Sequence, residues 1–181
     1  MATFIMLPNI DVTTEWTAKA GGTASYFNVD NDDGNTDYAY VSGASASGKS
    51  LIFELESPSV TEVDIDWSIG ITVTIKASMS KTLSGNSYVK LVQAGTAADA
   101  SPITGTTATK TVIAGGYALY SGTTEATSDG SDVWVYGDLV HLQIKAEKFR
   151  NDKFGQLRLS YFYAEVSYVP TTSATFFGAN F

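Results

Sequence analysis

The sequence has no cysteine and a single histidine, and both shortages narrow the chemistry open to the chain. Without cysteine there can be no disulfide, no thiolate nucleophile and no cysteine-bound zinc. A metal centre built on paired histidines is excluded too, because His141 has no second histidine beside it. We therefore expect a fold held by packing and backbone hydrogen bonds, with no cofactor and no catalytic metal.

Charged residues are also scarce, at 17% of the 181 residues against 44% hydrophobic residues, a balance that disordered chains do not have. The apolar runs are too short to span a bilayer, and residues 1–10 lack the basic region of a secretory signal. A net charge of −8 without a basic stripe disfavours a nucleic-acid partner. These features predict a soluble globular protein that binds neither membrane nor nucleic acid.

Alternation of apolar and polar residues is the dominant pattern, and it is clearest in residues 50–57, 68–78 and 139–147. The predicted buried positions are Leu51, Phe53 and Leu55; Ile69, Ile71, Val73, Ile75 and Ala77; and Val140, Leu142, Ile144 and Ala146. A period of two is typical of strands with one buried face.

Weaker strand signals occur in residues 2–7, 25–29, 37–42, 88–93, 107–114, 117–120 and 157–169. These segments are rich in Val, Ile, Thr and Tyr, turn-forming residues separate them, and no long helical stripe interrupts them. About ten short strands predict an all-β fold, a two-sheet antiparallel β-sandwich with jelly-roll connections. We expect one domain over residues 1–170 and a C-terminal tail over residues 171–181.

The last two strands are predicted to form a hairpin, because the turn-forming stretch "KFRNDKFGQ" separates their two alternating runs. Lys148, Arg150 and Lys153 would then gather at the hairpin tip, where they are either solvated or in contact with an acidic neighbour. These three residues form one half of a candidate interface.

The tail "TTSATFFGANF" supplies the other half through its aromatic residues Phe176, Phe177 and Phe181. Exposed aromatic side chains after the last strand are costly unless something covers them. The tail would pack either on a neighbouring subunit or on its own sandwich.

The stretch "GASASGKS", Gly43 to Ser50, matches the phosphate-binding loop pattern G-x-x-x-x-G-K-[ST]. That loop needs a helix directly after it, whose N-terminus favours the phosphates. The residues after Ser50 alternate as in a strand, and Pro58 would end a helix within about two turns. We therefore interpret the stretch as a connection between two strands, and an NTPase as the last of the alternatives.

An acidic stretch, "NVDNDDGNTDY", concentrates oxygen ligands between Asp30 and Asp37, where calcium could bind. An EF-hand alignment fails, since it places Val29 and Tyr40 at positions that need carboxylates. Two alternatives stay open, an irregular calcium loop and an acidic turn between strands.

Other candidate catalytic groups have structural explanations. The pairs Glu54 with Glu56 and Asp64 with Asp66 would share a strand face as glycosidase carboxylates do, but acidic faces exposed to water have the same spacing. His141 lacks a G-x-S-x-G partner motif and is interpreted as a surface residue.

Trp16, Trp67 and Trp134 could form a sugar-stacking platform together with some of the ten tyrosines. In a small sandwich such aromatic residues are more often core or cross-strand partners. Core packing is therefore the preferred interpretation.

The order of the segments suggests a family. The run "WTAKAGGTASYFNVDNDDGNTDYAYVSGASASGKSLIFELESPS" precedes "ITVTIKASMS", "SYVKLVQAGT", "VWVYGDLVHLQIKAE" and "LRLSYFYAEVSYV". From Trp16 to Val169 this order resembles the β-sandwich virion proteins of tailed bacteriophages, a group of capsid decoration (cement) proteins and tail or fibre modules. The resemblance implies a non-enzymatic structural protein of the virion, made in the host cytoplasm.

The same resemblance implies the partners: further copies in a homotrimer, and the major capsid protein or another virion protein. A capsid decoration protein that binds across capsomers is the first expectation. A tail or fibre component, or a carbohydrate-binding β-sandwich module, is the alternative.

Overall fold

The computed structural model describes residues 1–19, 37–42, 48–83, 87–96, 109–128, 132–149 and 155–171, together with Thr23, Ser25 and Val29. These ranges form strands that account for most of the described chain. They are β1 (Ala2–Met6), β2 (Pro8–Thr14), β3 (Thr17–Ala18), β4 (Ala39–Ser42), β5 (Ser50–Leu55), β6 (Thr72–Lys81), β7 (Ser87–Thr96), β8 (Thr109–Val112), β9 (Gly115–Glu125), β10 (Leu142–Lys148) and β11 (Gln156–Tyr168). A 3₁₀ turn (Glu62–Asp64) and one short helix, α1 (Tyr136–Val140), complete the described elements.

The strands form two antiparallel sheets. The first sheet has the order β3-β4-β11-β6-β9, with β1 also paired to β11, and the second sheet has the order β2-β5-β10-β7-β8. The all-β, two-sheet antiparallel sandwich predicted from the sequence is therefore confirmed. Its jelly-roll connectivity stays a prediction.

The pairing of the eight strands from β4 to β11 is nested. β7 pairs with β8, β6 with β9, β5 with β10 and β4 with β11, so each pair encloses the one before it in sequence. Strands that are neighbours along the chain therefore mostly lie in different sheets.

Strand β11 organises the first sheet. β6 pairs along nearly its whole length on one side. On the other side β4 pairs with Gln156–Leu159 and β1 pairs with Ala164–Tyr168. Between them the N–H of Phe162 donates to the carbonyl of Val29 at 2.9 Å, so the edge is covered there as well.

The core lies between the inner faces of the two sheets. Phe53 of β5 meets Phe162 of β11 edge to face, with ring centroids 6.3 Å apart. Leu51 and Leu55 are buried beside Phe53 as the alternation predicted, and Ile144 is buried on the neighbouring β10. The period-two pattern therefore identified the buried face of both strands correctly.

Three expectations were wrong. β10 and β11 do not form a hairpin, since β10 pairs with β5 and β7 in the second sheet while β11 belongs to the first. Ile69 lies in a turn before β6 and is 62% exposed, and Val140 ends α1 instead of starting a strand. Alternation in sequence does not reveal which sheet a strand joins, nor where a turn interrupts the pattern.

Strand β2 was missed altogether. It carries Pro8 at its first position, a placement that edge strands tolerate, and its alternation is limited to two apolar residues, Ile10 and Val12. The tail predicted over residues 171–181 lies outside the described residues except for Thr171.

Candidate functional site

At the end of the phosphate-loop match, the N–H groups of Gly48 and Ser50 already donate hydrogen bonds within the fold. Residues 43–47 lie outside the described residues, but Ser50 begins a strand, as the sequence predicted. The N–H of Gly48 donates to the carbonyl of Lys148 at 2.8 Å, and the N–H of Ser50 donates to Glu15 at 2.8 Å. Two of the N–H groups that a phosphate would need are thus used, one of them by a carboxylate that would repel the phosphate.

The predicted carboxylate pairs serve turns and strand ends. Glu56 accepts a hydrogen bond from the N–H of Leu7 at 3.2 Å, and Glu54 lies 3.6 Å from Nδ1 of His141. His141 itself is exposed, as expected. Glu54 and Glu56 therefore each have a partner within the fold.

Asp64 and Asp66 do not lie on a strand, which corrects the sequence expectation. Asp64 accepts hydrogen bonds from the hydroxyl and N–H of Thr61, at 2.6 and 2.8 Å. Both bonds lower the pKa of Asp64 below its ordinary value of 3.8, and the hydroxyl bond has the larger effect. Asp66 accepts from the hydroxyl and N–H of Ser68, at 2.6 and 3.1 Å. Both aspartates stabilise turns.

The tryptophans do not form a common platform. Trp16 and Trp134 are buried, and their indole N–H groups donate to the carbonyls of Lys49 and Glu125 at 3.2 and 3.3 Å. Trp67 is half-buried and packs against the core. The preferred interpretation of these residues as core is confirmed for the first two.

Four tyrosines pack in pairs on or beside the first sheet; Tyr38, Tyr40 and Tyr161 are half-buried and Tyr163 is buried. Tyr38 and Tyr40 pack edge to face at 6.3 Å, and Tyr161 and Tyr163 pack at 4.7 Å. The guanidinium of Arg158 lies 4.7 Å from the centre of the Tyr38 ring. Most of these rings are engaged with each other or with a cation.

The predicted basic cluster is not assembled at a hairpin tip. Lys148 is the last residue of β10 and is fully buried, because it continues the inward positions of that strand. The solvated tip expected for Lys148 was therefore wrong. Arg150 and Lys153 lie outside the described residues, as do Phe176, Phe177 and Phe181, and an interface role for these five residues stays a prediction.

An apolar groove lies at one end of the sandwich. Trp67, Ile69 and Val133 line it together with Met1 and Trp134, and it encloses about 310 Å³. Among its described lining residues there is no charged side chain. Met1, Ile69 and Val133 are 92%, 62% and 73% exposed, so the groove is a surface of apolar side chains open to water.

A tight turn and an isolated bridge shape the backbone around the groove. Gly70 takes a positive φ of 82°, which allows the tight turn from Ile69 into β6. Thr127 pairs with Val133 through an isolated antiparallel bridge. The groove was not predicted from the sequence, because Ile69 was assigned to a buried strand face. The signal was Gly70, which marks a turn at that point.

A second exposed apolar surface lies on the edge strand β2. Ile10 and Val12 are 49% and 45% exposed. Within the described residues β2 pairs with β5 on one side, and a register shift between Pro8 and Ile10 places Ile10 opposite Glu54. This bulge turns Ile10 away from the core face that Pro8 occupies.

Neither a cluster of metal ligands nor a membrane-spanning helix is found among the residues that the structure describes. In the part of the chain that the structure describes, no three His, Asp or Glu residues group as metal ligands would. The acidic stretch Asp30–Asp37 lies outside the described residues except for Asp37, so its two alternatives stay open. No helix in the described ranges combines the length and the apolar character needed to cross a membrane.

No protein-family model matches the chain, and no curated protein matches it in sequence.

Proposed function

We propose that the chain is a structural protein of a bacteriophage virion, specifically a capsid decoration protein that binds across neighbouring capsid subunits as a homotrimer. It acts by burying surface, without chemistry. The observation that carries the proposal is the edge strand β2, where Ile10 and Val12 are exposed on a sheet edge.

An edge strand with apolar side chains suits a structural partner. Unpaired N–H and C=O groups along a sheet edge can accept a strand from another chain, and apolar side chains beside them add buried area. Proteins that stay monomeric usually protect such edges with charges, prolines or bulges. β2 has Pro8, two register shifts and one charge, Asp11, and still exposes Ile10 and Val12. The edge is therefore suited to contact with another subunit.

The topology supports the same proposal. We infer that strands β4 to β11 form an eight-stranded jelly roll, with β1, β2 and β3 added at its sides. A jelly roll is a long antiparallel hairpin folded over, so its strands pair first with last, as β4 with β11 and β5 with β10 do here. Viral capsid domains and lectins both use this fold, so the topology favours two functions without deciding between them.

The proposal is tested with expanded phage capsids that lack the chain. Purified protein is expected to bind saturably and to raise the temperature at which the capsids release their DNA. An Ile10→Lys, Val12→Lys variant should bind much more weakly, whereas Leu119→Lys, on an exposed position of β9, should bind like the original chain.

Two other outcomes would contradict the proposal or its contact surface. Binding to host cells with no binding to capsids indicates a tail or fibre component. Equal capsid binding by the β2 variant and the Leu119→Lys control removes β2 as the contact surface.

A carbohydrate-binding module is the second candidate, favoured by the half-buried tyrosines on or beside the first sheet. Tyr38, Tyr40 and Tyr161 are half-buried there, and the Arg158 guanidinium lies 4.7 Å from the centre of the Tyr38 ring. Rings and charged donors together are the groups with which proteins hold sugars. Glycan binding that is lost in Tyr161→Ala and kept in the β2 variant would favour this function over capsid binding.

A further inference from the structure

We infer that residues 172–181 of the chain dock into the apolar groove at the end of its own sandwich. This inference concerns how the chain covers itself and does not depend on the proposed virion role.

The groove and the segment have matching chemistry. The groove is lined by apolar and uncharged side chains, of which Met1, Ile69 and Val133 are largely exposed. Residues 172–181, "TSATFFGANF", contain three phenylalanines and no charged side chain. Covering apolar surface is favourable by about 25 cal/mol per Å², so both surfaces gain from contact.

The described chain ends beside the groove. Thr171 is fixed to the 3₁₀ turn by two hydrogen bonds, from its N–H to the carbonyl of Asp64 at 3.0 Å and from its hydroxyl to the carbonyl of Val63 at 2.7 Å. The N–H of Asp66, directly before the groove residue Trp67, donates to the carbonyl of Val169 at 2.8 Å. Ser167 lines the groove itself. The segment therefore starts next to the surface that it is proposed to cover.

The length of the segment is sufficient. An extended chain advances about 3.3 Å per residue, so Phe176 can reach about 17 Å from Thr171 and Phe181 about 33 Å. Both phenylalanines thus have the groove within reach without any movement of β11.

The same chain is the favoured occupant because of its short connection. A tethered segment a few residues from its site has an effective concentration in the millimolar range. A second copy would need to exceed that concentration to compete, which dilute protein does not reach. The docking is therefore expected to be intramolecular.

The absence of cysteine allows a direct crosslinking test. The double variant Val133→Cys, Phe177→Cys is oxidised at low micromolar concentration and run on a non-reducing gel. We expect a disulfide within one chain, detected as a faster-migrating monomer and confirmed by peptide mass. The control pair Leu119→Cys, Phe177→Cys places the first cysteine on an exposed β9 position and should form much less of it.

Two results would overturn the inference. A crosslink that joins two chains would assign the groove to a second copy. Equal crosslinking by the Val133 and Leu119 pairs would show that the segment has no preference for the groove.

A second measurement avoids dependence on the engineered cysteines. The Phe176→Ser, Phe177→Ser, Phe181→Ser variant keeps the length of the segment and leaves the described fold untouched. It should raise the fluorescence of a bound hydrophobic dye and shift the emission of the groove residue Trp67. Dye binding and emission identical to those of the original chain would contradict docking.

Discussion

The carboxylate of Glu15 holds both donors of Ser50, accepting from its N–H at 2.8 Å and from its hydroxyl at 3.1 Å. Ser50 is buried at the start of β5, so these bonds fix the point where the small-residue connection becomes a strand. The hydroxyl that would bind magnesium in a nucleotide hydrolase is thus used inside the fold.

Replacing Glu15 should therefore destabilise the protein. We expect Glu15→Ala to lower the free energy of unfolding by about 1–3 kcal/mol, because two donors of a buried serine lose their acceptor. Glu15→Gln keeps an acceptor oxygen and should lose less. Urea unfolding measures both variants, and an unchanged midpoint in Glu15→Ala would contradict the structural role.

ATP with magnesium should leave the thermal midpoint unchanged. A ligand stabilises the native state only if it binds there, and the N–H groups of Gly48 and Ser50 already have partners. Differential scanning fluorimetry over a range of ATP concentrations provides the measurement. A midpoint that rises with ATP would reinstate the nucleotide site.

Lys148 should behave as a core residue. Its stem is fully buried at the end of β10, so Lys148→Ala is expected to cost about 2 kcal/mol or more in unfolding free energy. Lys145→Ala, three residues earlier on the half-exposed face, should cost about 1 kcal/mol or less, although Lys145 lies 2.5 Å from Glu147. If Lys148 instead contacted a partner, its variant would change association and leave monomer stability intact.

Gly122 allows two sheets to approach closely. A Cβ at Gly122 in β9 would lie 2.7 Å from the carbonyl oxygen of Leu91 in β7, on the opposite sheet. Gly122→Ala should therefore destabilise the fold by about 1–3 kcal/mol, because backbone must move to admit the methyl group. Gly116→Ala in the same strand meets nothing within 4 Å and is the control. Thermal unfolding of the two variants is the measurement. Equal midpoints for Gly122→Ala and Gly116→Ala would refute the close approach.

The turn at Thr61 should be sensitive to acid. The hydrogen bonds from Thr61 lower the pKa of Asp64, so their contribution is present above the ordinary value of 3.8 and is lost as the pH falls through the lowered pKa. Thr61→Val removes the hydroxyl bond and should raise the pKa of Asp64 toward its ordinary value. NMR titration of the carboxyl carbon reports this shift, and an identical titration curve would contradict the assignment.

Local periodicity located most of the strands, though not β2, and it did not identify their partners. Leu51, Phe53 and Leu55 were assigned to the buried face correctly because burial imposes a period of two on the sequence. The pairing of β10 with β5 and β7 was not predictable, because strands far apart in sequence meet through packing that leaves no local signal.

The candidate site was harder to predict than the fold. Lys148 follows Leu142, Ile144 and Ala146 at the same spacing, so extending the alternation would have placed it inside; its charge led to the opposite assignment. The groove depends on Met1 and Val133, which are distant in sequence and adjacent only in the folded chain. Neither position has a local feature that separates an exposed apolar residue from a buried one.

The position of β11 has a consequence for synthesis. Because β1, β4 and β6 all pair with β11, the last strand among the described residues, none of them has that partner until the ribosome has made residues 156–168. A growing chain therefore carries open strand edges through most of its translation, and folding must be completed late, through contacts between distant parts of the sequence. Such a chain is expected to fold slowly and to be most prone to aggregation just before its last strand emerges.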